Sequence, residues 1–121
     1  NVKMIGFVED LAEVYCNHRV LVVPLLSGAG IKSKVLDAFS YGQPSVLTDV
    51  AAEGTGAIDG ATALLAQSAE QWVDQIQRLH DDRKLWLDIS KQSVELAHVK
   101  YGLESGLTRF REIFASVGLE Q

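Results

Sequence analysis

Four consecutive β-favouring residues, Val20-Leu21-Val22-Val23, run up to Pro24 and are followed closely by Ser27-Gly28-Ala29-Gly30. A continuous apolar run of this kind suits a strand whose sheet is covered on both faces. Proline limits it, having no amide to donate to a ladder. The glycine loop leads into residues 31–41, where Ile31, Val35, Ala38 and Phe39 make an apolar stripe and Gly42 stands at the C-cap position. Strand, glycine loop and helix in this order commit the chain to parallel strands joined by helical crossovers.

The remaining pattern extends that unit. Val2 to Val8 reads as a short strand, and Glu9-Asp10 opens a helix carrying Leu11, Val14 and Tyr15 that ends near Asn17-His18. Gln43-Pro44 is a turn and Ser45 to Thr48 a strand. A small-residue stretch from Asp49 to Gly60 then leads to a last short strand, Ala63 to Ala66. Ser68 with Gln71 forms a capping box, and Trp72, Val73, Ile76 and Leu79 predict an amphipathic helix over 69–81. Leu85, Trp86, Ile89, Leu96 and Ala97 mark another helix, broken by Gly102. Leu103, Leu107, Phe110, Ile113, Phe114 and Val117 mark the last. The fold class is therefore α/β, a Rossmann-like doubly wound parallel sheet, in which ligands sit beyond the carboxyl ends of the strands. About four strands fall short of the usual five or six. With the start at Asn1, this predicts a single domain over residues 1–121 cut from a longer protein.

Composition removes several functions. A net charge of −5 on 121 residues withholds the broad field of a nucleic-acid or acidic-membrane binder, so any phosphate must be held locally. One cysteine, Cys16, allows no intrachain disulfide or structural zinc site and fits a reducing compartment, so a cytoplasmic location is expected. The apolar run from Val20 to Leu26 is far below the roughly 20 residues of a membrane span. No signal peptide and no metal-ligand cluster stand out.

Chemistry concentrates in residues 27–38, which set two glycines, Lys32, Lys34 and Asp37 around one helix start. A helix N-terminus offers unpaired amides and partial positive charge, glycines admit a ligand to the backbone, and lysine adds a full charge. Together they suit a phosphate or diphosphate. Lys34 and Asp37 share one face with Tyr41 a turn on, so a cation can meet phosphate while a carboxylate takes sugar hydroxyls. The triphosphate-binding loop motif is absent because Ile31, not glycine, precedes Lys32, and Ser33 stands where a dinucleotide fingerprint needs its third glycine. The competing reading is a glycine turn before an ordinary helix with solvated lysines.

Residues 28–46, Gly-Ala-Gly-Ile-Lys-Ser-Lys-Val-Leu-Asp-Ala-Phe-Ser-Tyr-Gly-Gln-Pro-Ser-Val, resemble the donor-binding C-terminal domain of GT-B glycosyltransferases, especially glycosyltransferase family 4. They look like that family's glycine loop, its Glu-Ala-Met-Ala-type helix and its Gly-x-Pro-Val turn. Thr48 to Gly54 resembles the second loop facing the donor, and residues 57–82 continue the likeness through the Asp59-Gly60 turn. The resemblance implies that Gly28, Ala29 and Gly30 cradle a diphosphate, that Lys34 is its cationic partner and catalytic residue, and that Asp37 takes the ribose. Glu53 and Gly54 would close over the nucleotide sugar. Lys32 belongs to the donor-binding set but is expected on another part of the helix. The family's first glutamate falls at Ala29 and its second is shortened to Asp37.

The resemblance also implies a retaining transfer of sugar from a nucleotide-diphosphate donor to a sugar or lipid-linked acceptor, without a bound metal or other cofactor. The implied setting is polysaccharide biosynthesis, in the cytoplasm or at the inner face of the membrane. The fragment alone is expected to bind and not to transfer. Its last helix, 103–117, would pack toward a missing N-terminal domain. Two alternatives stand beside it, a non-catalytic nucleotide-binding or interaction domain and a receiver-type signalling domain with Asp49 as the strand-end aspartate. His18, His80 and His98 read as structural, Cys16 as a small core thiol, and Trp72 and Trp86 as core packing.

Overall fold

A computed structural model describes residues 2–28, 30 and 32–116. In chain order the elements are α1 (Leu11–Asn17), β1 (Leu21–Val23), α2 (Ser33–Ser40), β2 (Ser45–Leu47), α3 (Asp49–Ala52), β3 (Leu64–Leu65), α4 (Ala69–Asp81), α5 (Arg83–Tyr101) and α6 (Leu103–Ser116). The strands form one parallel sheet in the order β1-β2-β3, with Val22 opposite Val46 and Val46 opposite Leu64.

Strand alternation divides the core in two. Val23, Leu47, Val35 and Phe39 share one cluster with Ala97 of α5, with Leu21 and Leu65 packed against it. Val46 and Leu64 point the other way, into a cluster with Leu79 of α4 and Ile89 of α5. α2 therefore covers one face and α4 the other, and α5 contributes to both, which is the doubly wound arrangement. All three residues of β2 are fully buried, so the middle strand anchors the sheet. Fully burying a side chain such as Phe39 or Leu47 contributes roughly 1.5–3 kcal/mol.

Helix starts follow local chemistry. Asp10 caps α1 by accepting from the Ala12 amide, Ser68 and Gln71 form the capping box of α4, and Asp82 caps α5. The fold departs from the sequence pattern at four places. Val2 to Val8 forms no strand: Val2, Met4, Ile5 and Phe7 are exposed, Gly6 sits at φ +75°, and a strand without a paired neighbour is not stable. Cys16 is exposed, because Tyr15 takes the inward position of the short α1. On α4 the inward line is Trp72, Gln75 and Leu79, which leaves Val73 exposed. Residues 49–60 include a helix, α3, in place of a plain loop.

The tryptophans do pack in the core. Trp72 and Trp86 lie against the Val46 cluster, and Trp86 Nε1 donates to the Arg19 carbonyl at 2.9 Å. His18 Nδ1 lies 2.7 Å from the Val14 carbonyl, as a histidine ending a helix should. Ala29, Ile31, Val117 and the side chains of Leu103, Phe110 and Phe114 lie outside the described residues.

Candidate functional site

Two loops leave the carboxyl ends of neighbouring parallel strands: residues 24–32 follow β1, and residues 48–62 follow β2. Thr48 joins them. Its amide donates to the Val23 carbonyl at 3.4 Å, and its Oγ1 donates to the Leu25 carbonyl at 2.6 Å. The same oxygen accepts from the Ala51 amide at 3.2 Å and so caps α3. One buried hydroxyl thus fixes the exit of β1 to the start of the next loop. In the sequence pattern Thr48 is only the end of a strand; the readable signal for its second role is a threonine directly before an acidic first helical residue, Asp49.

In the first loop Gly28 and Gly30 adopt φ +143° and +104°, conformations that side-chain-bearing residues rarely enter. Nothing lies within 4 Å of where a Cβ would project from either. The glycines therefore serve the turn and leave open space beside the backbone. Lys32 is not on the helix but at its N-cap, with Nζ donating to the Gly28 and Gly30 carbonyls at 3.4 and 3.3 Å. This corrects its expected placement, since α2 begins two residues later than the apolar stripe suggests.

Lys34 stands exposed in the first turn of α2, and Asp37 is half-buried one turn on. Across from them lies Tyr15 of α1. Its hydroxyl donates to the Lys34 backbone carbonyl at 3.2 Å, and its ring stacks on Tyr41 with centroids 5.2 Å apart and planes 19° from parallel. Burial, then the Asp37 carboxylate, then Tyr41 hold the Tyr15 phenol above its ordinary value of 10.0. By periodicity Tyr15 is only part of an apolar stripe; its contact with α2 carries no short-range sequence signal.

The second loop brings Asp49 to the first turn of α3 and ends it at Glu53, which is exposed, followed by Gly54 at φ +74°. Thr55 Oγ1 donates to the Ala52 carbonyl at 2.6 Å and Thr62 Oγ1 accepts from the Ile58 amide at 2.8 Å, so the loop is internally braced. Gly28, Gly30, Lys32, Lys34 and Asp37 are thereby collected at one loop–helix junction, and Glu53 and Gly54 lie on the neighbouring loop. Among the described residues no group of His, Cys, Asp or Glu side chains could hold a metal ion, and no helix is long and apolar enough to cross a membrane.

A cavity of about 630 Å³, lined by Asp74, Gln77, Arg78, Asp81, Asp82 and Arg83, lies elsewhere. Arg19, just before β1, donates to the His80 carbonyl, which sets the carboxyl end of α4, whose Asp81 lines the cavity, near the amino-terminal end of β1. The cavity offers solvated charges, not a convergent site.

Residues 1–82 match the family described as "Glycosyl transferases group 1". The chain is also 36% identical over 58 residues to an uncharacterized 44.6 kDa protein in the cps region of Klebsiella pneumoniae. That stretch is 48% of this chain and spans only 15% of the relative's length. Because the family match takes in both strand-end loops, the glycine junction and the helix after them, the chain belongs to the group 1 glycosyl transferases.

Proposed function

We propose that this chain is the donor-binding part of a GT-B glycosyltransferase that moves a sugar from a nucleotide-diphosphate donor to a sugar or lipid-linked acceptor, with retention. The observation that carries the reading is the junction of residues 28–37, where open glycine backbone meets a helix start and two lysines at a strand's carboxyl end. In this reading the diphosphate rests on the Gly28 to Gly30 backbone and the α2 terminus, Asp37 accepts from the ribose hydroxyls, and residues 49–54 close over the sugar. The bond from the anomeric carbon to the diphosphate oxygen breaks as the acceptor oxygen bonds to that carbon on the same face, the acceptor's hydroxyl proton passing to the departing diphosphate, on which negative charge grows. Lys34 offsets that charge. Losing one preorganised group of this kind costs roughly 100- to 1,000-fold in rate. The enzyme would work in the cytoplasm or against the inner membrane face, in polysaccharide assembly.

The test is an amide-resolved NMR titration of this chain with UDP, GDP and ADP, each against its sugar conjugate. Shifts on residues 28–37 and 49–56 that vanish in Lys34→Ala are expected; a Lys34→Ala chain that binds as the wild type does overturns the assignment. Nucleotide binding by a longer protein that never turns over donor would instead support a non-catalytic binding domain, the reading favoured by Ala29 where the family carries its first glutamate. The receiver alternative loses its basis: it also needs a lysine ending a late strand, and Lys100, the residue the sequence offers for that place, lies within α5.

A further inference from the structure

Helix α2 carries the proposed diphosphate and ribose contacts, so the placement of its first turns decides where those groups stand. Lys32 at the N-cap position makes no side-chain cap bond, and the residues before it include two glycines in rarely adopted conformations. A helix start without a side-chain cap leaves its terminal amides to other partners. Lys34 and Asp37 belong to the first two turns, so small displacements there move both groups relative to a ligand.

We propose that Tyr15 is a positioning residue of the donor site, holding the first turns of α2 so that Lys34 and Asp37 are presented together. The proposal rests on the donor-binding reading of α2. Two contacts from one side chain support it. The Tyr15 hydroxyl binds the Lys34 carbonyl at 3.2 Å, using a lone pair that the helix's own hydrogen bond leaves over. Its ring stacks on Tyr41 at the far end of the helix, so the tyrosine grips α2 at both ends. Asp37 lies between these two positions at helical spacing on α2, and its carboxylate acts electrostatically on the phenol. Tyr15 is also the residue by which α1 is buried, at 9% exposure against 48% for Tyr41. It cannot turn away without opening α1.

Tyr15→Phe keeps the ring and removes the hydroxyl. Titrated with whichever of UDP, GDP and ADP binds the wild-type chain, it is expected to bind about three- to tenfold more weakly, the scale of one net hydrogen bond. In an Asp37→Asn background the same substitution is expected to change affinity less than about twofold, because the group it positions is already lost. A purely structural tyrosine would lower the melting temperature in both backgrounds and leave affinity alone, and that result overturns the proposal. Wild type binding no nucleotide at all overturns the donor reading and this proposal with it; wild type binding while Tyr15→Phe matches it overturns this proposal alone. If Tyr15→Phe fails to fold, the Tyr15 ring Cζ signal of the wild-type chain decides. It is expected to shift as nucleotide saturates and to stay still in Asp37→Asn; a signal unmoved in wild type refutes the role.

Discussion

Thr48→Val tests the link between the two loops. The substitution preserves shape and removes one oxygen that makes two bonds at 5% exposure. Losing the cap of α3 costs about 0.5–2 kcal/mol. Stripping the Leu25 carbonyl of its 2.6 Å donor costs about 1–3 kcal/mol when the acceptor stays dry. Leu25 is 38% exposed, so water can partly replace the donor and the low end of that range applies. The added methyl returns at most about 0.8 kcal/mol. The expected loss is therefore about 1–2 kcal/mol, which lowers a urea midpoint by roughly 0.5–1 M at an m-value near 2 kcal/mol/M. Urea unfolding followed by far-UV circular dichroism measures it, and nucleotide titration of the same sample should show weaker binding, since both loops lose their common tie. Thr48→Ser keeps the oxygen and gives up one methyl, so it should lose at most about 0.8 kcal/mol. Thr48→Val as stable as wild type, or Thr48→Ser as damaged as Thr48→Val, refutes the reasoning.

Gly42→Ala should destabilise by about 2–3 kcal/mol in the same urea assay. It forces a left-handed conformation at φ +69° and sets a Cβ 2.9 Å from Ser90 Oγ and 3.1 Å from Val94 Cγ2. Gly54→Ala, at φ +74° with nothing within 4 Å, should cost only the conformational part, about 1 kcal/mol, and equal losses would refute the packing argument. Tyr15 has its folded value raised above its unfolded one, so its protonated phenol adds stability fully present below pH 10.0 and lost as pH climbs through the folded value. Alkaline titration at the tyrosinate absorbance should show a late step that Tyr15→Phe removes and Asp37→Asn moves only partly, because burial is the larger cause; a curve that Tyr15→Phe leaves unchanged at its alkaline end would contradict it.

The periodic elements were legible because their signals are local. The capping box predicts residues 69–81 and α4 has those bounds, and the apolar run at 20–23 becomes β1 with one residue trimmed. The expectations that fail depend on partners distant in sequence. Val2 to Val8 has the composition of a strand, but pairing is supplied by a neighbour, and the described sheet ends at β1. Val73 falls on the helical period, yet which side of α4 is buried depends on where the Val46 cluster lies. The site divides likewise. Gly28, Gly30, Lys34 and Asp37 are readable as one junction from spacing, whereas Thr48 to Leu25 and Tyr15 to Lys34 span 23 and 19 positions and no periodicity reports them.

The charge balance of the site makes a further test of how it would hold an anion. Lys32 and Lys34 stand on the first loop and helix, while Asp37, Asp49 and Glu53 stand on the same two strand-end segments. The local sum is not cationic, and the whole chain is at −5. Long-range attraction therefore cannot draw a diphosphate in, and affinity must come from contacts at hydrogen-bond distance: backbone amides, the helix terminus and one properly placed ammonium. Two lysines acting as an unopposed field would lose more than about tenfold in affinity over a tenfold rise in salt, because screening removes their attraction for the diphosphate. Lysines compensated by neighbouring carboxylates should lose less than about tenfold over the same range, since the carboxylates are screened along with them. Nucleotide titrations at about 0.05 and 0.5 M salt, straddling the concentration at which the screening length is about 10 Å, separate the two. The larger loss would mean that the acids lie too far from the lysines to matter, and that binding at this junction is held by charge attraction instead of by the loop's backbone.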